Sequence, residues 1–150
     1  MTFTLPNAVA HELVDYAVEQ APKEACGLLD SMSWGEIIEF HPLRNFSPRP
    51  IEEFLVCSCC VEQAQENARF HQGSIILWHS HPTTSHRPSV ADLEIIRQTN
   101  LPMAILSLQG HARTFAIYEP VPGSNSNHAV REAFKVHLGA IEEVPDAVGR

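Results

Sequence analysis

Apolar side chains recur near the start of the chain at the spacing of one helical face. Val9, Leu13, Val14, Ala17 and Val18 share that face, and Pro6 or Asn7 stands where a helix would begin. The pattern predicts a helix over 7–19, ended by Pro22. The apolar run Ala25 to Leu29 reads as a buried strand. Glu36 to Phe40 mixes apolar and acidic positions and reads as its neighbour in a sheet, with Gly35 in the turn. Pro42, Pro48 and Pro50 mark 41–50 as a loop. Phe54 to Val56 predicts a short strand, and Ser58 to Gln72 a second helix stopped by Gly73. Ser74 to Trp78 is a mostly apolar strand, 82–88 a loop, and 89–99 a third helix. Two more strands are expected at 103–108 and 114–118, turning near Gly110, and then a linker over 120–127. A last helix is expected over 128–141. Strands alternating with helices predict an α/β layered domain over 1–120, with 121–150 holding the linker and C-terminal helix.

The chain has 150 residues, which suits one compact domain, and its hydrophobic fraction of 44% is enough to fill a core. A net charge of -8 without a basic run argues against nucleic acid as a partner. No stretch approaches the roughly 20 apolar residues of a membrane span. The start, MTFTLPNAV, has neither a basic nor an apolar leader region, so a cytoplasmic location is expected. Three of the four cysteines, Cys57, Cys59 and Cys60, crowd into four positions, a poor framework for disulfides. All four, Cys26 included, are expected to be reduced. Cys57-Ser58-Cys59-Cys60 reads first as small residues at a helix start packed against the sheet, with a second metal site as the alternative.

The strand SIILW runs into His79-Ser80-His81-Pro82. In extended chain, positions i and i+2 project to the same side, so two imidazoles can serve one point. Ten residues separate His81 from Asp92, which falls in the first turn of the third helix. A loop of that length can fold the helix start over the strand end. Two histidines, one carboxylate and an open position are a pattern of catalytic zinc. Amide hydrolysis also needs a proton carrier that is not a ligand, and Glu24, opening the strand EACGLL, is the leading candidate. Each part alone has a blander explanation. An H-x-H pair arises by chance, Ser89-x-x-Asp92 is a helix cap, and Glu24 could be a solvated carboxylate. Order and spacing lift the combination. Ser89 could both cap the helix and turn its hydroxyl toward the metal.

These residues resemble the JAMM, or MPN-plus, metallopeptidase family. Its motif is a distal glutamate followed by H-[ST]-H-P-x(6)-S-x-x-D, and the chain carries Glu24, His79-Ser80-His81-Pro82 and Ser89-Val90-Ala91-Asp92 at that spacing. Pro22 to Leu29 also resembles the family's E-x-C-G-L strand. The resemblance covers roughly 5–118 and implies a cytidine-deaminase-like α/β/α fold, with a central mixed sheet flanked by helices. It implies zinc held by His79, His81 and Asp92. Glu24 would be the general acid/base, and Ser89 a donor to the developing oxyanion. Within the family, the segments around FLVCSCCVEQAQ, GSIILWHSHP and LPMAILSL look most similar to the JAMM domain of phage tail-assembly proteins. Small stand-alone bacterial members, some acting on ubiquitin-like sulfur-carrier proteins, are the other comparison. The expected partner is therefore a protein or peptide substrate. The expectation includes no nucleic acid and no membrane, and leaves a homodimer open. The rival reading is a non-catalytic MPN scaffold.

Overall fold

In the computed structural model, which describes residues 2–122 and 130–139, three helices and six strands are present among the described residues. They run α1 (Asn7–Gln20), β1 (Cys26–Ser31), β2 (Ile37–Leu43), α2 (Ser58–Phe70), β3 (Ser74–His81), α3 (Val90–Thr99), β4 (Met103–Ser107), β5 (Thr114–Pro120) and β6 (Val130–His137). The strands form one mixed sheet in the order β2-β1-β3-β4-β5-β6. The β3–β4 pair is parallel and the other four pairs are antiparallel. A parallel pair cannot be closed by a hairpin. Here α3 makes the crossover, and its N-terminus thereby returns to the C-terminal end of β3.

Strand alternation sorts the core into two faces. Leu29, Ile76, Trp78, Ala104, Leu106, Phe115 and Ile117 pack with Val9, Leu13 and Ala17 of α1. The alternate positions, Leu28, Ile75, Leu77, Met103, Ile105 and Ala116, turn to the other face and meet Ala68 of α2 and Ile96 of α3. The result is the expected α/β/α layering. His79 and His81 continue the odd-numbered series of β3, so they emerge on the α2/α3 face. Gly27 allows β1 and β2 their close approach. A Cβ there would stand 2.4 Å from the His41 carbonyl oxygen and 2.7 Å from Phe40 Cε1.

Three expectations are corrected. The helix expected over 128–141 is strand β6 across residues 130–137, paired antiparallel with β5. Phe134, Val136 and Leu138 repeat at period two onto the α1 face, which a helical reading misses. Residues 128, 129, 140 and 141, and most of the expected linker, lie outside the described residues. The segment 54–56, expected as a strand, has no regular secondary structure and joins no sheet among the described residues. The loop expected from 41 starts later, because β2 runs through Pro42 to Leu43. β2 is an edge strand, where a residue without an N–H does not interrupt a ladder on its open side.

Candidate metal centre and catalytic site

Four side chains from three segments meet at the end of β3. His79 Nε2 lies 3.1 Å from His81 Nε2 and 3.1 Å from Asp92 Oδ1. His81 Nε2 lies 3.1 Å from Asp92 Oδ2, and Glu24 Oε1 is 3.8 Å from His79 Nε2. All four residues are buried. One ring proton cannot serve several neighbours at once, whereas an ion among them can. The donor set of imidazoles and carboxylates suits zinc. Glu24 Oε1 is buried without a hydrogen-bond partner, which leaves a free acceptor facing the same point. These residues therefore fit a bound divalent metal.

Local structure explains each position. The His81 Nδ1–H donates to the Ser85 carbonyl oxygen at 2.7 Å, which leaves Nε2 as the lone-pair nitrogen facing inward. The ring of Phe54 stacks on that of His79, with centroids 4.3 Å apart. Ser80, between the histidines, points to the opposite side. Its hydroxyl accepts from the Ala25 amide at 2.8 Å while its own amide donates to the Ala25 carbonyl at 2.9 Å. The histidine strand is thus clamped to the residue that follows Glu24. Ser89 caps α3. Its Oγ accepts from the Asp92 amide at 3.1 Å, and its amide donates to Asp92 Oδ2 at 2.9 Å. This reciprocal box fixes the Asp92 rotamer, and the positive end of the helix favours its charge. A hydroxyl oxygen that accepts a bond keeps its own proton to donate.

The electrostatics are divided. Burial pushes the Glu24 carboxyl up to about 8; His81 pulls against it, and Asp92 and Glu53 add to it. Burial also opposes charge on Asp92, but His79, the ring hydrogen bonds and the Ser89 amide outweigh it and hold Asp92 well below the usual carboxylate range. Burial lowers His79 against the pull of Asp92. In His81 burial is outweighed by the bonds to Asp92 and Ser85, so its pKa rises. A carboxyl left neutral by burial beside a charged one separates their chemical roles. Cys26, opposite His79 in the β1–β3 register, is a core residue as expected. Burial, with Glu24 adding, pushes its thiol up to about 12.

Sequence reasoning missed two contributors. One is Phe54, whose strand-like context hid its ring contact with His79. The other is Asn45 in the proline-bearing loop. Its Nδ2 donates to the carbonyls of Glu24 and Glu53, each at 3.0 Å. Its Oδ1 accepts from the amides of Ser47 and Leu55, each at 3.0 Å. The Glu24 amide in turn donates to the Pro50 carbonyl at 2.7 Å. A single asparagine in a loop was the available signal, since its amide can mimic backbone. His86 is tied to Tyr118, donating from Nδ1 to the phenol oxygen at 2.8 Å while the phenol donates to the His86 carbonyl at 3.0 Å. It braces the loop between the histidines and Asp92.

A layered α/β domain with a buried histidine–carboxylate cluster at the end of its parallel strand pair defines a fold with a metal-binding type of centre. The chain belongs to the prokaryotic homologs of the JAB domain, whose description matches residues 6–118. That family includes metallopeptidases and non-catalytic members, and zinc is its usual metal. A curated relative, UPF0758 protein BAV2405 of Bordetella avium, is 28% identical over 108 residues. The match takes in 69% of this chain and 40% of that protein, so the chain spans well under half of the relative's length. Among solved structures, protein DSY2949 of Desulfitobacterium hafniense superposes with a TM-score of 0.70 at 25% identity, covering 87% of this chain and 89% of that one. A protein of Salinibacter ruber gives a TM-score of 0.57 at 20% identity, with 88% of each chain covered, and shares the fold. Among the described residues no helix is long and apolar enough to cross a membrane.

Proposed function

We propose that the chain is a zinc-dependent peptidase or isopeptidase that hydrolyses an amide bond near an extended protein tail. The observation that carries this reading is the convergence of His79, His81 and Asp92 at 3.1 Å spacings beside the unpartnered oxygen of Glu24. His79, His81 and Asp92 would hold the ion. Asp92 is the better ligand of the two carboxylates, being ionised and fixed by the Ser89 amide, whereas Glu24 stands farther off. Zinc bound there supplies Lewis acidity and brings the pKa of a water toward about 7.

The remaining steps belong to the protein. Glu24 takes a proton from the attacking water at its free Oε1 as the water oxygen bonds to the carbonyl carbon. A nearby cation favours the ionised carboxylate that this needs, against the burial that opposes it. The Ser89 hydroxyl donates to the carbonyl oxygen as negative charge builds on it. Glu24 then returns the proton to the leaving nitrogen as the carbon–nitrogen bond breaks. Phe54 keeps water from one face of His79. An extended substrate tail can be held by main-chain hydrogen bonds in the manner of an added strand. Tail processing of a ubiquitin-like or sulfur-carrier protein, and a cut made during phage tail assembly, both place this demand on the site.

The test is hydrolysis of a panel of ubiquitin-like and sulfur-carrier proteins with C-terminal extensions, read by mass spectrometry. Cleavage that stops with chelator and with Glu24→Gln supports the proposal. A zinc-loaded protein that cleaves nothing in the panel, yet binds members of it, favours the non-catalytic reading.

A further inference from the structure

The thiols of Cys57, Cys59 and Cys60 converge at the N-terminus of α2, with their sulfurs all within 4.8 Å of one another. We propose that these three cysteines form a second metal site, for a thiophilic ion of low coordination number, of the cuprous class. The expectation that they fill space against the sheet fails, because Cys59 and Cys60 are exposed and Cys57 is only half-buried. Ala68 is the fully buried residue of this helix. Three soft side chains turned to solvent within four positions call for an explanation other than packing.

The geometry suits three sulfurs around one ion. Metal–thiolate bonds of about 2.3 Å set the sulfurs of a trigonal site roughly 4 Å apart. Cys57 and Cys59 Sγ are 2.7 Å apart, so that pair must open by roughly 1.3 Å, within reach of side-chain rotation at an exposed helix end, to admit the ion. The Cys60 amide donates to the Cys57 carbonyl at 3.1 Å, which places all three residues on the first turn and needs no distant loop to close the site. The helix end lacks compensation of its own: α2 has no side-chain cap hydrogen bond and no acidic residue in its first turn. Negative sulfur at that end is favoured by the helix dipole.

The donor set selects the ion. Among the described residues this group offers three sulfurs and no histidine or carboxylate. Soft thiolates suit monovalent copper, zinc and iron–sulfur clusters alike, but structural zinc takes four protein ligands and this group offers three, which matches an ion of low coordination number. Uptake displaces the thiol protons to solvent and so weakens as pH falls. The site is distinct in chemistry and in residues from the His79, His81 and Asp92 centre, and it does not depend on that centre being catalytic.

The experiment is an anaerobic titration of the reduced 150-residue chain with cuprous ion against a chromogenic cuprous chelator. Wild type and His79→Ala should each retain one equivalent, and zinc-loaded protein should take it up without releasing zinc. Cys57→Ser and the pair Cys59→Ser with Cys60→Ser should lose it while their metal-free thermal midpoints stay near that of wild type. Copper-edge X-ray absorption of the wild-type complex should show sulfur neighbours alone. Equal uptake by the cysteine variants, displacement of zinc, or nitrogen in the copper shell overturns the proposal. The absorption spectrum decides the matter even where a variant fails to fold.

Discussion

At the scale of single residues, the roles proposed for Glu24 and Ser89 are the ones that would separate chemistry from metal binding. Glu24→Gln keeps the shape and loses the base. Zinc content should survive, and turnover should fall by about 100- to 10,000-fold on a confirmed substrate. Steady-state rates beside metal analysis check both halves. Glu24 also gives the metal-free protein a pH dependence with a definite sign. Its carboxyl is raised from 4.5 to about 8 in the fold, so the folded state binds the extra proton. The stability this adds is complete below the unfolded value and is lost as pH rises through the folded one. Relative to Glu24→Gln, chelated wild type should therefore lose stability as pH rises between 4.5 and about 8 in thermal melts. Because His79, held below its usual value by burial, pulls the wild-type curve the other way, the difference between the two proteins is the test, and a difference that does not change with pH would contradict the burial argument. Ser89→Ala removes a helix cap worth about 1 kcal/mol and, on the proposed mechanism, one oxyanion donor worth roughly 100-fold or more in rate. Both losses should appear, with zinc retained. The convergence of His79, His81 and Asp92 was readable at this scale because the motif holds fixed residue types at short fixed spacings. Asn45 was not readable, because its four bonds join positions brought together only by folding.

At the scale of elements, the alternation of β3 decides which way the histidines face, and the capping box of α3 decides where Asp92 points. These two elements were legible because local signals define them: an apolar run ending in proline, and S-x-x-D at a helix start. β6 was not. Its strand state comes from pairing with β5, a non-local partner, and its mixed polarity suits a half-exposed edge as well as a helix. The 54–56 segment had strand-like residues and no ladder to join; it serves instead as the mount for Phe54. Two substitutions probe this level. Asn45→Ala strips partners from two carbonyls and two amides and should destabilise the fold by about 1–3 kcal/mol. It should also slow turnover more than it lowers zinc content, since it loosens the backbone at Glu24. Denaturant unfolding and rates measured on one sample check the pair of effects. Gly27→Ala drives a Cβ into the β2 backbone, and its neighbour there is a carbonyl that cannot swing away. Loss of stability, read as a lower denaturant midpoint, is the expected result. An unchanged midpoint would mean that β1 and β2 separate at little cost.

At the scale of the whole molecule, the sheet order puts β1 and β3 side by side, so Glu24 reaches the histidines across 55 positions of sequence. The α3 crossover returns Asp92 to the same end of the sheet. No single element holds the site, which ties metal binding to global folding. Zinc held by the folded state alone should raise stability by about 2.7 kcal/mol when present at 100 times its dissociation constant. Chelation should lower the thermal midpoint, and added zinc should restore it. The layered class was legible from alternating strands and helices, while the sheet order was not, because register follows from contacts between distant segments. The most direct measurement is the zinc content of the purified wild type, His79→Ala, Asp92→Ala and Glu24→Gln. Wild type and Glu24→Gln should each carry close to one zinc per chain, and the other two little. Full zinc retention in both His79→Ala and Asp92→Ala would contradict a metal centre held by these side chains.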